Sequence, residues 1–324
     1  MRRSDADLER EIRKTELAAY HYYGLEPVDD TLLVDTTVGE RSVRFTQLGP
    51  DRTDDIPLLV LHGVGSWAVL FVEMLPYLSE RRIILMDWPG HGLSGPCEIP
   101  GASSLRDFSV SVIAGLLDEL GIPGVDVVGH SLGGMFSLYA AHALPTRVRR
   151  VALVGAPGAA LPGAKPILPM IVMAMPLVGA RVLSAGVSEE TFNRFNVEAL
   201  GEGAGAHLPP DVVKAGRLMS IRPTYAPSVS SYFRALIRGK DLRSEHALTQ
   251  EELGRLRQPV LMCWGDSDSF QAPMVAASSI VALRDHRLLR LPYAGHAPWL
   301  DEPELVGHAL ADHLRVRPDL TPEP

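Results

Sequence analysis

Short runs of Val, Ile and Leu recur along the chain and alternate, over most of its length, with stretches whose apolar residues repeat at helical spacing. Pro57 to His62, Arg82 to Asp87, Val125 to His130 and Val148 to Val154 are runs of the first kind. They lack the polar alternation of a half-exposed strand, as expected for parallel strands covered on both faces. Trp67 to Leu78, Leu105 to Leu120 and Leu132 to Leu144 are predicted as the helices between them. After a break the alternation resumes with a strand at Pro259 to Trp264, a helix near Met274 to Leu283 and a strand at Arg287 to Leu291. A closing helix, Glu302 to Val316, has Pro303 in its first turn, where the missing N–H costs nothing. Ahead of this body, residues 4 to about 22 read as a charged helix with a partial stripe of Leu8, Ile12, Leu17 and Tyr20. Thr31 to Thr37 and Ser42 to Leu48 then read as a hairpin around the Gly-containing turn Val38 to Arg41. The pattern predicts an α/β fold with a mostly parallel eight-stranded sheet and helices on both faces.

Residues 161–257 break the rhythm, with many prolines and glycines, helical pieces and no convincing strand. They are read as a helical lid inserted in a core formed by 1–160 and 258–324, with 1–25 as an N-terminal helical extension. No internal repeat is found. The longest apolar run, Pro166 to Ala180, is shorter than the roughly 20 residues that span a bilayer, and Pro166, Pro169 and Pro176 interrupt it. Met1-Arg2-Arg3 leads into the charged stretch Ser4 to Arg10 instead of an apolar signal core.

Composition narrows the setting more than the chemistry. The 324 residues carry 31 Lys plus Arg against 39 Asp plus Glu, a net charge of −8, which argues against a nucleic-acid partner. Hydrophobic residues at 46% and charged residues at 22% describe an ordinary globular chain. Cys97 and Cys263 are the only cysteines, so no disulfide framework is expected and a cytoplasmic location is the plain reading. Oligomeric state, monomer or homodimer, stays open.

One motif carries most of the chemistry. Gly129-His130-Ser131-Leu132-Gly133 stands between a predicted strand and a predicted helix, as a nucleophile elbow does. Its small flanking residues let strand and helix approach closely and lift the hydroxyl above the sheet. A serine hydroxyl needs an adjacent base. Asp266-Ser267-Asp268 follows the strand after the insertion, and Gly295-His296 follows the last strand. The order Ser131, Asp268, His296 assigns a nucleophile, an orienting acid and a general base. Backbone N–H groups of Leu132, after the nucleophile, and Val64, in His62-Gly63-Val64-Gly65, are the expected oxyanion donors.

The same residues admit competing readings. Gly63-Val64-Gly65-Ser66-Trp67-Ala68, with Asp87 ending the next strand, also fits a dinucleotide fingerprint and would suggest a nicotinamide-dependent oxidoreductase, but it leaves Ser131, Asp268 and His296 idle. No metal-ligand spacing appears among the histidines, so no metal and no cofactor is expected. His91, His130 and His142 read as packing or loop residues, and Cys263 as a small core residue. The Met170, Met173 and Met175 stripe serves either the core or an apolar substrate lining. Arg194, Arg222 and Arg234 either meet a substrate carboxylate or are solvated lid residues.

His62-Gly63, Asp87-Trp88-Pro89-Gly90-His91-Gly92-Leu93-Ser94, the elbow at Ser131, Trp264-Gly265-x-x-Asp268 and Gly295-His296 together resemble the α/β-hydrolase superfamily, in its lidded esterase, lipase and carbon–carbon hydrolase branch. With the flanking strands the resemblance covers all but about the first 25 residues. It implies that the acid is the last residue of G-x-x-D, hence Asp268 and not Asp266. Some members carry the acid after the strand that ends here at Val154-Gly155-Ala156-Pro157, where no carboxylate stands. Ser131 excludes the aspartate nucleophile of the dehalogenase and epoxide hydrolase relatives. The implied activity is a carboxylesterase-like serine hydrolase acting on a hydrophobic small molecule, with Trp67, His130, Met170, Met173 and Pro298 as expected substrate-binding residues. Carbon–carbon bond hydrolysis, thioester or lactone cleavage, and non-hydrolytic acyl transfer or lyase chemistry are the alternatives on the same residues.

Overall fold

Residues 4–50, 56–185 and 188–315 are described by the structure, a computed structural model. The strands are β1 (Val28–Val34), β2 (Arg41–Leu48), β3 (Leu58–Leu61), β4 (Ile83–Met86), β5 (Val125–Gly129), β6 (Val148–Val154), β7 (Ile237–Arg238), β8 (Asp241–Leu242), β9 (Val260–Gly265) and β10 (His286–Leu291). Eight form one sheet in the order β1-β2-β4-β3-β5-β6-β9-β10. β2 runs antiparallel to β1 and β4, and every other pairing is parallel. β3, β4, β5 and β9 are buried at every position, which is why their sequences carry no polar alternation.

The helices are α1 (Asp5–Tyr22), α2 (Leu105–Glu119), α3 (Leu132–Ala143), α4 (Leu168–Ala174), α5 (Val178–Ser184), α6 (Glu189–Leu200), α7 (Glu202–His207), α8 (Pro210–Ser220), α9 (Tyr225–Leu236), α10 (Gln250–Arg255), α11 (Ala277–Ala282), α12 (Pro298–Asp301) and α13 (Pro303–Leu314). Alternate residues of each central strand face opposite ways. Leu59, Leu61, Ile84, Met86, Val125 and Val127 meet Phe108 and Val112 of α2 and Met135 and Phe136 of α3. Leu58, Val60, Ile83, Leu85 and Val128 meet Val69 and Phe71, Val306 and Leu310 of α13, and Ile12 of α1. Helices α4 to α10, with the small β7–β8 ribbon, form an insertion between β6 and β9.

Four local expectations change. The first strand begins at Val28, and its pairing with β2 ends at Val34 because Thr36 and Gly39 close a turn by exchanging backbone hydrogen bonds. The segment expected as a helix from Trp67 is wound in 3₁₀ turns from Ala68 to Leu78, and Pro76 within it has no N–H for a wider helical ladder. The insertion holds a two-residue strand pair where none was read. The closing helix ends at Leu314; Val316, like Met1, Arg2 and Arg3, lies outside the described residues.

Ser4 caps α1 in a reciprocal capping box with Asp7. The helix lies over the body and against α8 of the insertion. Arg222, read either as a contact for a substrate carboxylate or as a solvated lid residue, is neither: it is only 7% exposed and binds Asp5 and Glu9 of α1 and the Gly92 carbonyl. A second buried cluster joins Glu16 of α1 to Arg44 of β2, which also contacts Asp29 and Asp87. Among the described residues no helix is long and apolar enough to cross a membrane.

Candidate active site

The chain runs from β3 to β4 on one side and then crosses to β5 on the other, so the crevice of this sheet lies beyond the carboxyl ends of β3 and β5. The His62–Trp67 loop leaves β3 there, and Ser131 follows β5 at the entrance to α3. Ser131 takes φ 52° and ψ −119°, a left-handed backbone that an L-residue adopts only when its surroundings force it. The glycines on either side show the force: a Cβ on Gly129 would come within 2.4 Å of Ser137 Oγ, and one on Gly133 within 2.1 Å of the Leu61 carbonyl oxygen. A half-buried hydroxyl results, facing the crevice at a helix N-terminus.

Asp268 stands after β9 and His296 after β10. His296 Nδ1 donates to Asp268 Oδ2 at 2.8 Å, which leaves Nε2 as the unprotonated nitrogen of the neutral ring. That Nε2 is buried and has no hydrogen-bond partner. Asp268 Oδ2 also accepts from the Ala156 N–H at 2.9 Å, and Oδ1 accepts from the N–H groups of Phe270 and Gln271. Burial opposes the charge on Asp268, but the His296 partner and these N–H donors outweigh it and hold the carboxyl below its ordinary range. Asp266 instead pairs with Arg290 on the exposed side.

His130 backs the His296 ring, with centroids 4.6 Å apart. Burial and the neighbouring His296 hold His130 well below its ordinary range, which keeps the ring neutral, and the His296 carbonyl oxygen 3.1 Å from Nε2, an acceptor only, places the ring's proton on that nitrogen. On the β3 side, His62 Nδ1 donates to the Gly63 carbonyl oxygen at 2.7 Å while His62 Nε2 accepts from the Trp88 N–H. Fixing the Gly63 carbonyl turns the N–H of the same peptide, that of Val64, to the opposite side. The N–H groups of Val64 and Leu132 donate to no other group among the described residues.

A narrow cavity of about 70 Å³ lies over Ser131 and His296. Trp67, His130 and Met170 line it, joined by Ile167, Phe195, Asn196, Phe233 and Phe270. Met173 and Pro298 are not among its lining residues. The Met173 carbonyl caps Ser230 Oγ at 2.9 Å, and Pro298 is buried at the start of α12. Sequence reasoning missed Asn196 and the Ala156 N–H. Phe192, Asn196 and Leu200, the buried residues of α6, are spaced one turn apart, and that spacing was the available signal.

The other singled-out residues are placed elsewhere. Asp87 is filled from within: it accepts from the N–H groups of Ala68 and Leu93 and from Arg44, which leaves no carboxylate free for a ribose. His91 is buried between the rings of His62 and Tyr232. Met175 is exposed, and burial pushes the Cys263 thiol up to about 12, as for a core residue. Arg234 bonds Ser230 Oγ on its own helix. Among the described residues no three or more His, Cys, Asp or Glu side chains are grouped to hold a metal ion.

Residues 58–309 match the model of the alpha/beta hydrolase family. Among curated relatives, the chain is 28% identical over 284 residues to the dihydrolipoyllysine-residue acetyltransferase component of the acetoin cleaving system of Pseudomonas putida, covering 86% of this chain and 68% of that one. It is 39% identical over 117 residues to 2-hydroxymuconate semialdehyde hydrolase of Pseudomonas sp. strain CF600, where the match spans 35% of this chain and only 40% of the relative. Among solved structures it resembles carboxylesterase CesB of Bacillus subtilis, with a TM-score of 0.70, 18% identity and coverage of 95% and 98%. It also resembles 2-hydroxy-6-oxo-6-phenylhexa-2,4-dienoate hydrolase of Rhodococcus sp. strain RHA1, with a TM-score of 0.72, 22% identity and coverage of 90% and 100%. At these identities the structural likeness speaks for the fold.

Proposed function

The chain belongs to the alpha/beta hydrolase family, and on that premise we propose that it is a serine hydrolase that cleaves an ester of a hydrophobic small molecule through an acyl-enzyme. The observation that carries this reading is the His296 ring, held by Asp268 at Nδ1 with a free Nε2, over the same cavity as a serine on a forced elbow. In the proposed mechanism Ser131 Oγ attacks the acyl carbon while His296 Nε2 takes the hydroxyl proton. The oxyanion is received by the N–H groups of Val64 and Leu132. His296 then passes its proton to the departing alcohol. Water repeats the sequence in reverse roles, releasing the acid and restoring the serine. Asp268 keeps the tautomer and stabilises the imidazolium.

The insertion acts here as a lid, with Met170 and Ile167 of its first helical region over the crevice. A cavity of about 70 Å³ is well below the roughly 300 Å³ at which small-molecule pockets begin, so a short acyl chain suits it as it stands and a larger one requires the lid to shift. Carbon–carbon bond hydrolysis is the second reading, favoured by the likeness to the two hydrolases named above. Against it, no Lys or Arg lines the cavity to hold a substrate carboxylate. A fluorophosphonate should label the protein and fail to label Ser131→Ala; labelling that persists in the variant would remove the assignment. A panel of esters graded by acyl length, with one vinylogous diketo acid, separates the two readings by rate.

A further inference from the structure

The same cavity holds an unexplained set of polar atoms. Ser66 Oγ, Trp67 Nε1 and the Asn196 Nδ2 amide are buried and without a hydrogen-bond partner, and all three residues line the cavity. Their exposures of 8%, 5% and 4% put them out of reach of bulk water. Buried polar groups are normally paired, and these three, besides His130 Nδ1 and His296 Nε2, which also belong to lining residues and are unpaired, call for a partner that arrives from outside.

The three residues line this cavity from two elements that meet where the Trp67 and Phe192 rings pack. Ser66 and Trp67 are neighbours on the β3 loop. Asn196 sits one turn after Phe192 on α6, and the Phe192 ring lies 6.0 Å from the Trp67 ring. A Cβ on Gly216 of α8 would fall 2.4 Å from the Trp67 ring, so the lid presses the indole in place. The corner thus joins the core loop that carries Val64 to the lid helix, and it is complete only with the lid over the site.

The chemistry of these groups specifies the partner. An indole N–H only donates, a serine hydroxyl does either, and an amide can present its NH₂. The shared partner is an acceptor oxygen. No Lys, Arg, Asp or Glu is among the lining residues, so nothing offsets the desolvation of a carboxylate or phosphate there. We propose that Ser66, Trp67 and Asn196 form a binding corner for an uncharged oxygen of the substrate, a ketone or ether oxygen carried on the acyl chain. The proposal rests on the acyl-enzyme reading and adds the substrate class to it: a short oxygen-bearing acyl ester in place of a plain hydrocarbon one.

The test uses p-nitrophenyl esters of straight-chain acids and of the same chains with one methylene replaced by a ketone or an ether oxygen at successive positions. Their binding to Ser131→Ala protein is measured by calorimetry, and their turnover by the native protein. One position of the oxygen is expected to bind at least about tenfold more tightly than the all-carbon parent, the size of one well-made hydrogen bond. Asn196→Leu and Trp67→Phe, each built on Ser131→Ala for binding, are expected to bring that ratio towards one, whatever they do to the parent ester. A ratio near one at every position overturns the corner and leaves it as a site for water alone. A preference that survives both substitutions overturns it too. If the native protein turns over none of the esters and takes no fluorophosphonate at Ser131, the acyl-enzyme reading fails instead, and the binding ratio still decides the corner. Either variant alone suffices if the other does not fold, because a ratio is read.

Discussion

His91 shows how a single buried ring ties this fold to pH. Burial, with His62 alongside, lowers it to about 3, so within the fold it stays neutral where a solvated histidine would be protonated. The unfolded chain takes up that proton near pH 6.5. Below about 6.5 the unfolded state therefore binds more protons than the folded one, and stability is lost as pH falls towards about 3. His91→Phe keeps the packing against Tyr232 and removes this share of the loss. Urea titrations should then show a shallower fall in stability between pH 6.5 and 4; an unaltered slope would show that His91 does not carry it. His91 lies within the run Asp87 to Ser94 that the sequence reading singled out, and what it did not reveal was the environment. The candidates Ser131, Asp268 and His296 were legible because the proposed chemistry demands particular residue types after particular strands. Asn196 and Ala156 were not, since one acts through burial on a helix face and the other through a backbone N–H that any residue would supply.

Between elements, the insertion is joined to the loop carrying His296 by the Asp301 carboxylate and by a close backbone contact. Asp301 at the end of α12 accepts from Gly203 N–H of α7 at 2.8 Å with one oxygen and from Gly295 N–H at 2.8 Å with the other. The Ala297 N–H reaches the Leu200 carbonyl at the end of α6, and Gly201 and Gly295 come so close that a Cβ on Gly295 would be 2.6 Å from Gly201 Cα. These contacts tie the α6–α7 segment directly to the loop carrying His296. Asp301→Ala should lower kcat on the best ester by about tenfold to a hundredfold with a smaller change in KM, the effect of misplacing a positioned group. A Cβ on Gly203 would meet Asp301 Oδ1 at 2.2 Å, so Gly203→Ala should also lower kcat, but by little once Asp301 is alanine. Additive losses in kcat would show that lid and loop move independently. Elements of this kind were the least legible part of the chain. The central strands declared themselves by uninterrupted Val, Ile and Leu, whereas α4 and α5 are seven residues each, broken by prolines and set by what they cover.

Across the whole molecule, a chain of buried charge runs from the N-terminal helix to the crevice. Arg44, 1% exposed, bonds Glu16 of α1 and Asp87; Asp87 Oδ1 lies 3.8 Å from His62 Nε2, and His62 holds the Gly63 carbonyl. Burial pushes Glu16 up to about 7, with Arg44 pulling against it and Asp87 and Asp29 adding to it. Glu16 is the carboxylate of this cluster that burial pushes up. Arg44→Met should cost about 3–5 kcal/mol in urea unfolding, the loss expected when one partner is removed from a buried cluster, and Glu16→Gln much less. Equal losses would mean that Glu16 is ionised in the fold. The insertion has a different relation to the sheet. It leaves after β6 and returns at β9, and those two strands are paired neighbours, with Val154 opposite Cys263. The stretch between β6 and β9 is therefore an enlarged crossover between adjacent strands, and its two ends are held apart by a sheet that does not depend on its length. Such a segment is an exchangeable part: another of different size or lining could be seated on the same two strand ends, changing what the crevice admits without moving the loops after β5 and β10.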